Sequence, residues 1–289
     1  MAKNSKAKIK ENPGFIIGRW GVRILLFAYA LTVVFPFVWT FYTSVKPINE
    51  YLLDSVSLPS VLDFSNFTYA WVEANFSGYF LNSVIVVAMN VVLALIFSAS
   101  TTYAVTKFRY RWLKGLEKFY LLAMALPGVL VLVPQYFMMQ SYGLTGHLWL
   151  LPILYSLNSL PTNLRMQAGF LKGIDNALLE AADIDGATEF QKFFQIVVPS
   201  IKSALYLTTL SAIMGAWNEF ILALTYLDDE ATFTVPIGLS YLQNAAEHEI
   251  EFTGLIAGLV IAMIPILVVY TIFQKPLLEG FKSEGAVKG

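Results

Sequence analysis

Two places in this chain hold residues whose types and spacing could do work. One is the acidic, small-residue run Glu180-Ala181-Ala182-Asp183-Ile184-Asp185-Gly186-Ala187. The other is Glu219, which stands beside Trp217 and Asn218 inside a long apolar stretch. A carboxylate inside an apolar span marks a solute pathway, a proton site or an interhelical brace. Other chemistries are thinly supplied. The chain has no Cys, which removes thiolate catalysis, disulfides and Cys-ligated metal sites. Its two histidines, His147 and His248, lie far apart with no ligand spacing around them, so His147 reads as an interfacial residue and His248 as a solvated one. No Gly-x-x-x-x-Gly-Lys-Ser/Thr phosphate loop occurs, so the chain does not bind ATP by that route and no cofactor is expected in it.

The elements that must position these residues are membrane helices. The composition is 57% hydrophobic and 13% charged, where soluble domains carry about 25% charge. A net charge of −1 gives no pull toward nucleic acid. The expected fold is all-α: a polytopic membrane protein with six transmembrane helices and a cytoplasmic loop carrying a short coupling helix. The spans are expected at Trp20 to Tyr42, Tyr79 to Val105, Leu116 to Gln140, His147 to Phe170, Ser203 to Leu227 and Phe252 to Phe273. Runs of 20 to 25 residues cover about 30 to 37 Å, enough for a hydrocarbon core with some tilt. Residues 1–19 read as a cytoplasmic tail, 20–274 as the permease domain with its coupling segment at 173–199, and 275–289 as a second cytoplasmic tail. The polar, basic N-terminal stretch with Lys3, Lys6, Lys8, Lys10 and Arg19 lacks a small-residue cleavage pattern, so the first span is expected to stay.

Charge sets the expected direction. Of the 19 Lys and Arg residues, only Lys46 falls on the side opposite the tails. By the positive-inside rule both termini are expected in the cytoplasm. The external loop between the last two spans carries Asp228, Asp229, Glu230, Glu247, Glu249 and Glu251, with no Lys or Arg.

The spans are interrupted. Pro36, Pro127, Pro134, Pro152, Pro161 and Pro265 fall inside them, each removing a backbone donor and tending to kink its helix. Asn82, Ser83, Asn90, Ser156, Asn158 and Ser159 place polar groups at membrane depth. Freed carbonyls and buried amides need partners on other helices or along a cavity, which suits a transport pathway better than an anchor. Gly254 and Gly258 let two helices approach closely, with packing inside the subunit as the expected use.

Between the fourth and fifth spans, Asp175 is placed to cap a helix over Asn176 to Ile184. Asp185-Gly186 then fits a left-handed stop. Thr188 with Gln191 makes a second capping pattern. Gly186 is thus a hinge between two short helices. Ala177, Leu178, Ala181 and Ala182 form a flat apolar stripe, with Glu180 and Asp183 on the other face. The stripe suits a cleft in another protein, or a rest on the chain's own bundle.

Glu180-Ala181-Ala182, Asp185-Gly186-Ala187 and then Phe193, Ile196 and Pro199 resemble the EAA motif of bacterial ATP-binding-cassette importer permeases. Trp217-Asn218-Glu219-Phe220, Thr234-Val235-Pro236-Ile237-Gly238-Leu239 and the terminal Gly285-Ala286-Val287-Lys288-Gly289 resemble the smaller membrane subunit of the maltose-type carbohydrate branch. Ile201-Lys202-Ser203, where members often show a second proline, and Val197-Val198 before Pro199 depart from the pattern and bear on how the fifth span begins. The resemblance implies a non-catalytic transport subunit of the bacterial inner membrane. It implies a cytoplasmic ATPase dimer that binds the ATP and docks on Glu180, Ala181, Ala182, Asp185 and Gly186. It also implies a second permease subunit, an external solute-binding protein touching Pro236, Tyr241 and Gln243, and a sugar passing Trp217, Asn218 and Glu219 by alternating access. On a continuous helix Asn218 and Glu219 point about 100° apart, so Asn218 is expected on the pathway and Glu219 as the brace. The competing readings are a proton-coupled transporter using Glu219, or an importer of another solute such as a polyamine or a sugar phosphate.

Overall fold

In the computed structural model the described residues are 13–108, 110–249 and 251–286. The basic residues at 3–10, Arg109 and the terminal 287–289 lie outside them. The elements in chain order are α1 (Pro13–Ser44), α2 (Ile48–Leu53), α3 (Ser65–Thr68, running into a π turn at Tyr69–Glu73), α4 (Phe76–Lys107), α5 (Arg111–Ala123), α6 (Gly128–Ser141) and α7 (Leu150–Lys172). Then come α8 (Asn176–Ile184), α9 (Glu189–Lys192, running through a π turn at Phe193–Val197 into α10, Val198–Ser200), α11 (Lys202–Asn218), α12 (Ile221–Tyr226), α13 (Val235–Glu249) and α14 (Phe252–Ala286).

Among the described residues, three helices are long and apolar enough to cross a membrane: Arg19–Ser44, Phe76–Lys107 and Phe252–Gln274. The number reaches five if each of two bent pairs counts as one span. The expected third span is not straight. It breaks after Ala123, and α5 and α6 meet at 111°, because Pro127 stands extended at ψ 125° before α6 and has no N–H to continue the ladder. The expected fifth span, Ser203 to Leu227, breaks once inside its bounds, and a second bend stands just before it. Ile201 separates Glu189–Ser200 from α11 with a bend of 79°, and Glu219 leaves the helix at ψ 122° before α12 begins. α7 has span length, 23 residues, but its Ser156, Asn158, Asn163 and Gln167 keep it out of the apolar set.

The bundle's centre is α4 against α7, with α11 closing the third side. Two apolar clusters sit at its ends. At the α13 end Phe76, Tyr79, Leu151, Leu154, Trp217 and Tyr226 pack together. At the α8 end Tyr103, Leu171, Leu179, Val197 and Ile201 do so. Between them runs a polar belt. The Gln167 amide donates to Ser98 Oγ at 2.7 Å and Thr208 Oγ1 at 2.8 Å, and Asn90 Nδ2 donates to the Ala212 carbonyl at 2.9 Å. One side chain on α7 thereby ties α4 to α11. Of the polar residues read along the spans, Asn90 is such a fastener, whereas Ser156 and Ser159 bond to carbonyls of α7 itself.

α1 is almost wholly exposed, with Ile24, Leu25, Phe27 and Phe35 turned outward. Past its end the chain folds over a buried lysine. Lys46 is 0% exposed, and its ammonium donates to Asp54 O, to Ser57 O at 2.9 Å and to Ser57 Oγ at 2.8 Å. Asn66 donates to the Ser44 and Lys46 carbonyls and accepts from Thr253 Oγ1 on α14. Glu50 binds Ser60, whose hydroxyl and N–H hold that carboxyl below its usual range.

Glycines set the closest approaches, as expected for packing inside the subunit. A Cβ at Gly254 would stand 2.5 Å from Tyr69, and one at Gly258 would stand 2.6 Å from Leu242. Gly238 on α13 is tighter still, since its Cβ would lie 2.2 Å from the Tyr79 ring. Gly238→Ala is therefore expected to cost about 1–3 kcal/mol by overpacking. Gly215→Ala, in open space on α11, is expected to be neutral or to gain up to about 1 kcal/mol from helix propensity. Thermal unfolding of the two purified variants tests the contrast, and equal midpoints would refute it.

Candidate functional site

The segment 173–199 folds as its capping residues dictate. Asp175 is extended at ψ 128° and its Oδ1 accepts the Ala177 N–H at 3.0 Å, starting α8 where expected. The helix ends in a Schellman motif, with Ala187 N–H on the Ala182 carbonyl at 2.9 Å and Gly186 N–H on Asp183 at 3.1 Å. Gly186 takes φ +78°, and a Cβ there would meet nothing, so backbone conformation rather than space demands glycine. Thr188 and Gln191 close a reciprocal capping box that starts α9.

The expected apolar stripe is only part of what α8 presents. Ala177, Leu178, Ala181 and Glu180 are exposed and Ala182 is half-buried, while Leu179 turns inward onto Leu171, Val197 and Ile201. So α8 rests on its own bundle through one leucine and leaves the remaining apolar face open. Sequence reasoning missed the largest apolar groups on this face. Ile184 is 87% exposed, and Phe190 packs against Phe194 at 4.5 Å with both rings open to the outside. The i, i+4 spacing of Phe190 and Phe194, offset from the inward pair Phe193 and Val197, was the available signal. Glu180 makes no hydrogen bond or ion pair among the described residues. Asp183 does, accepting from Lys192 Nζ at 2.6 Å, and Lys192 also binds Glu189. Lys192 is buried, and the two carboxylates hold its ammonium protonated well above the usual lysine range.

The Trp217–Glu219 region departs from the expectation of one continuous helix. Trp217 is buried, donates Nε1–H to the Ala262 carbonyl at 3.2 Å and packs at a steep angle against Phe80, so it is fixed in the bundle rather than standing free as a platform. Asn218 is exposed, with Nδ2 on the Met214 carbonyl of its own helix at 2.8 Å. Glu219 sits at the break and caps α12. Its Oε1 accepts from Leu222 N–H at 2.8 Å; its Oε2 accepts from Ala223 N–H at 2.9 Å and from the Tyr155 hydroxyl on α7 at 2.9 Å. Beside it a groove of about 350 Å³ is lined by Phe37, Trp217, Asn218, Pro236, Leu239 and Met263.

Residues 228–249, expected as a loop, are mostly helix: a short 3-10 turn at Glu230–Thr232, then α13. Apolar residues at Val235, Ile237, Leu242 and Ala246 face inward at helical spacing, which gives the segment something to fold against. Tyr241 and Gln243 are exposed, and Pro236 is half-buried on the groove. α4 holds this segment through Tyr79 OH on Glu230 at 2.8 Å, Asn82 Nδ2 on the Ala231 and Phe233 carbonyls at 2.9 Å, and Ser83 Oγ accepting Val235 N–H at 2.8 Å. Among the described residues no group of His, Cys, Asp and Glu is arranged to hold a metal.

An apolar helical bundle with a capped, outward-facing helix pair at one end is the architecture of a polytopic membrane protein. The chain belongs to the family of binding-protein-dependent transport system inner membrane components, whose model matches residues 14–279. It is a permease subunit of an ATP-binding-cassette importer. It is 32% identical to the probable ABC transporter permease protein YurM of Bacillus subtilis (strain 168), over 98% of this chain and 93% of that one. It is 29% identical to the diacetylchitobiose uptake system permease protein NgcG of Streptomyces coelicolor (strain ATCC BAA-471 / A3(2) / M145), over 91% of this chain and 87% of that one. The fold matches a chain of a bacterial ABC transporter involved in the import of the acidic polysaccharide alginate, with TM-score 0.80, 22% identity, and 91% and 98% of the two chains covered.

Glu219→Leu is expected to strand the Tyr155 hydroxyl and two backbone N–H groups, at about 2–4 kcal/mol, whereas Glu219→Gln keeps one acceptor oxygen and costs about 1 kcal/mol. Thermal midpoints of the purified variants should rank wild type, Gln, Leu; a Leu variant as stable as wild type would remove the brace.

Proposed function

We propose that this chain is one of two permease halves through which an ATP-binding-cassette importer passes a neutral sugar or oligosaccharide. Six helical passes cross the membrane, α7 being the polar one at the centre, and both termini face the cytoplasm. A cytoplasmic ATPase dimer docks on α8 and α9. Glu180, Ala181 and Ala182 meet it, Asp185 and Gly186 set the helix end, and Leu178, Ile184, Phe190 and Phe194 add apolar anchors. A second permease chain covers the open face of α1, with lipid around both. A solute-binding protein meets α13 at Tyr241 and Gln243, and Pro236 and Asn218 lie where solute would pass. The observation that carries this reading is the α8–α9 unit. It is capped at both helix starts and stopped at Gly186, yet leaves its largest apolar side chains uncovered. An apolar patch of this kind on an otherwise polar segment marks a partner site.

The solute class rests on charge and on relatives. Arg165 is exposed toward the α8 end of α7, and among the described residues no basic residue is buried at mid-span to favour a phosphate or carboxylate. Relatives named for diacetylchitobiose and galactooligosaccharides have oligosaccharide substrates. Glu219 accepts three hydrogen bonds, two of them from backbone that must stay capped, so it is poorly placed to cycle a proton.

Glu180→Lys and Gly186→Pro are expected to abolish ATP-driven uptake of labelled oligosaccharides into vesicles holding the assembled complex, with the chain still inserted. Uptake should persist when a proton uncoupler is added with ATP present. Normal uptake in both variants would refute the docking assignment, and collapse with the uncoupler would refute the energy source. Separately, a photocrosslinker at Tyr241 or Gln243 should capture the solute-binding protein in the ATP-trapped complex; capture at neither position would refute the α13 contact.

A further inference from the structure

α4 differs from every other long element in this protein. It runs 32 residues, Phe76 to Lys107, without a proline or a break, while α1, α6, α7 and α14 each contain a proline and the fifth pass is broken at Ile201 and Glu219. At 1.5 Å per residue it is an unbroken element of about 48 Å. Both of its ends are fastened by side chains to the two segments that reach outside the bundle. At one end Tyr103 OH donates to Glu189 Oε2 at 2.7 Å, and Lys107 Nζ donates to Asn176 Oδ1 at 2.9 Å, so one residue of α4 grips α9 and another grips α8. The Tyr103 ring also lies 5.5 Å from Phe193. At the other end Tyr79 grips Glu230, Asn82 grips two carbonyls before α13, and Ser83 takes the N–H of Val235. The Tyr79 ring fills the space that Gly238 leaves open. The two tyrosines are 24 residues apart, about 36 Å along the axis.

We propose that α4 is a connecting rod, and that Tyr103 with Lys107 and Tyr79 with Asn82 are the positioning residues that latch its ends. A displacement of α8–α9 is carried through the Tyr103–Glu189 and Lys107–Asn176 bonds to α4. It leaves α4 at the Tyr79–Glu230 and Asn82 bonds as a displacement of residues 228–249. A helix without a kink transmits such a shift with little loss, whereas the broken fifth pass would absorb it at Ile201 and Glu219. Because coupling between two sites is reciprocal, a partner seated on α13 acts back on α8–α9 through the same four side chains. The inference rests on the assignment of α8–α9 to the ATPase and of α13 to the solute-binding protein.

The test is hydrogen–deuterium exchange on the complex purified through a tag on this chain and held in nanodiscs. It compares the nucleotide-free state with the state trapped by Mg-ATP and vanadate. In the wild type, trapping is expected to change exchange both over 176–192 and over 230–249. In Tyr103→Phe/Lys107→Met, and independently in Tyr79→Phe/Asn82→Ala, the change over 176–192 should remain and the change over 230–249 should be lost. Ser100→Ala, an exposed position on the same helix, should behave as wild type. A latch that only stabilises its neighbourhood would speed exchange in both states and leave the trapping difference intact, which would overturn the rod. A wild-type response over 230–249 in either double variant would do so as well. No wild-type response over 176–192 would instead overturn the ATPase-docking assignment, and the rod with it.

Discussion

The architecture depends on hydrogen bonds between helices in a medium that offers no others. Apolar side chains gain little by leaving lipid for a protein interior, so helix association in a membrane leans on close packing and on polar fasteners. Gln167 is the central fastener. From α7 it reaches Ser98 on α4 and Thr208 on α11, and Asn90 repeats the α4–α11 link nearer the other end. With those three helices locked, α8 attaches through Leu179, α13 through Tyr79, Asn82 and Ser83, and α14 through the Trp217–Ala262 bond, with Gly258 set against Leu242 of α13 and α1 packed on α14.

Short-range signals were the most legible in the sequence. Asp175, Gly186 and the Thr188–Gln191 pair each name a backbone state that needs only a few neighbouring residues, and the structure places α8 and α9 where those residues put them. α4 was legible because a long apolar run without breakers leaves one outcome, and α14 because its apolar run continues well to both sides of Pro265. The expected third and fifth spans were not. Pro127 could have kinked a continuous helix or ended one, and only the neighbouring packing makes it the corner between α5 and α6. Glu219 reads as a residue within a span when counted by hydropathy. It becomes a cap because a carboxylate can satisfy the N–H groups of a new helix and a tyrosine hydroxyl together, an arrangement that sequence spacing does not encode.

Several polar residues in the apolar spans tie elements together. Asn82, Ser83 and Asn90 looked like the wall of a pathway and prove to be ties between elements. Trp217 looked like a stacking platform and proves to be packed edge-on and hydrogen-bonded to Ala262. The groove beside Asn218 and Pro236 is largely apolar within this one chain. In the proposed assembly a pathway would be completed by the surfaces that α1 and the groove leave open, against a second permease chain.

Lys46 has a consequence for the segment that joins α1 to α4. Its ammonium is sealed beneath residues 47–63 and held by Asp54 and Ser57 oxygens. The short helix in that segment, α2, buries none of its own side chains, so the fold of the segment is organised around a cation rather than around an apolar core. Asn66, and through it Thr253 of α14, clasps the turn from the other side. A neutral side chain at 46 would leave the Asp54 and Ser57 oxygens facing one another, much as a loop wrapped on a metal ion falls open when the ion is withdrawn.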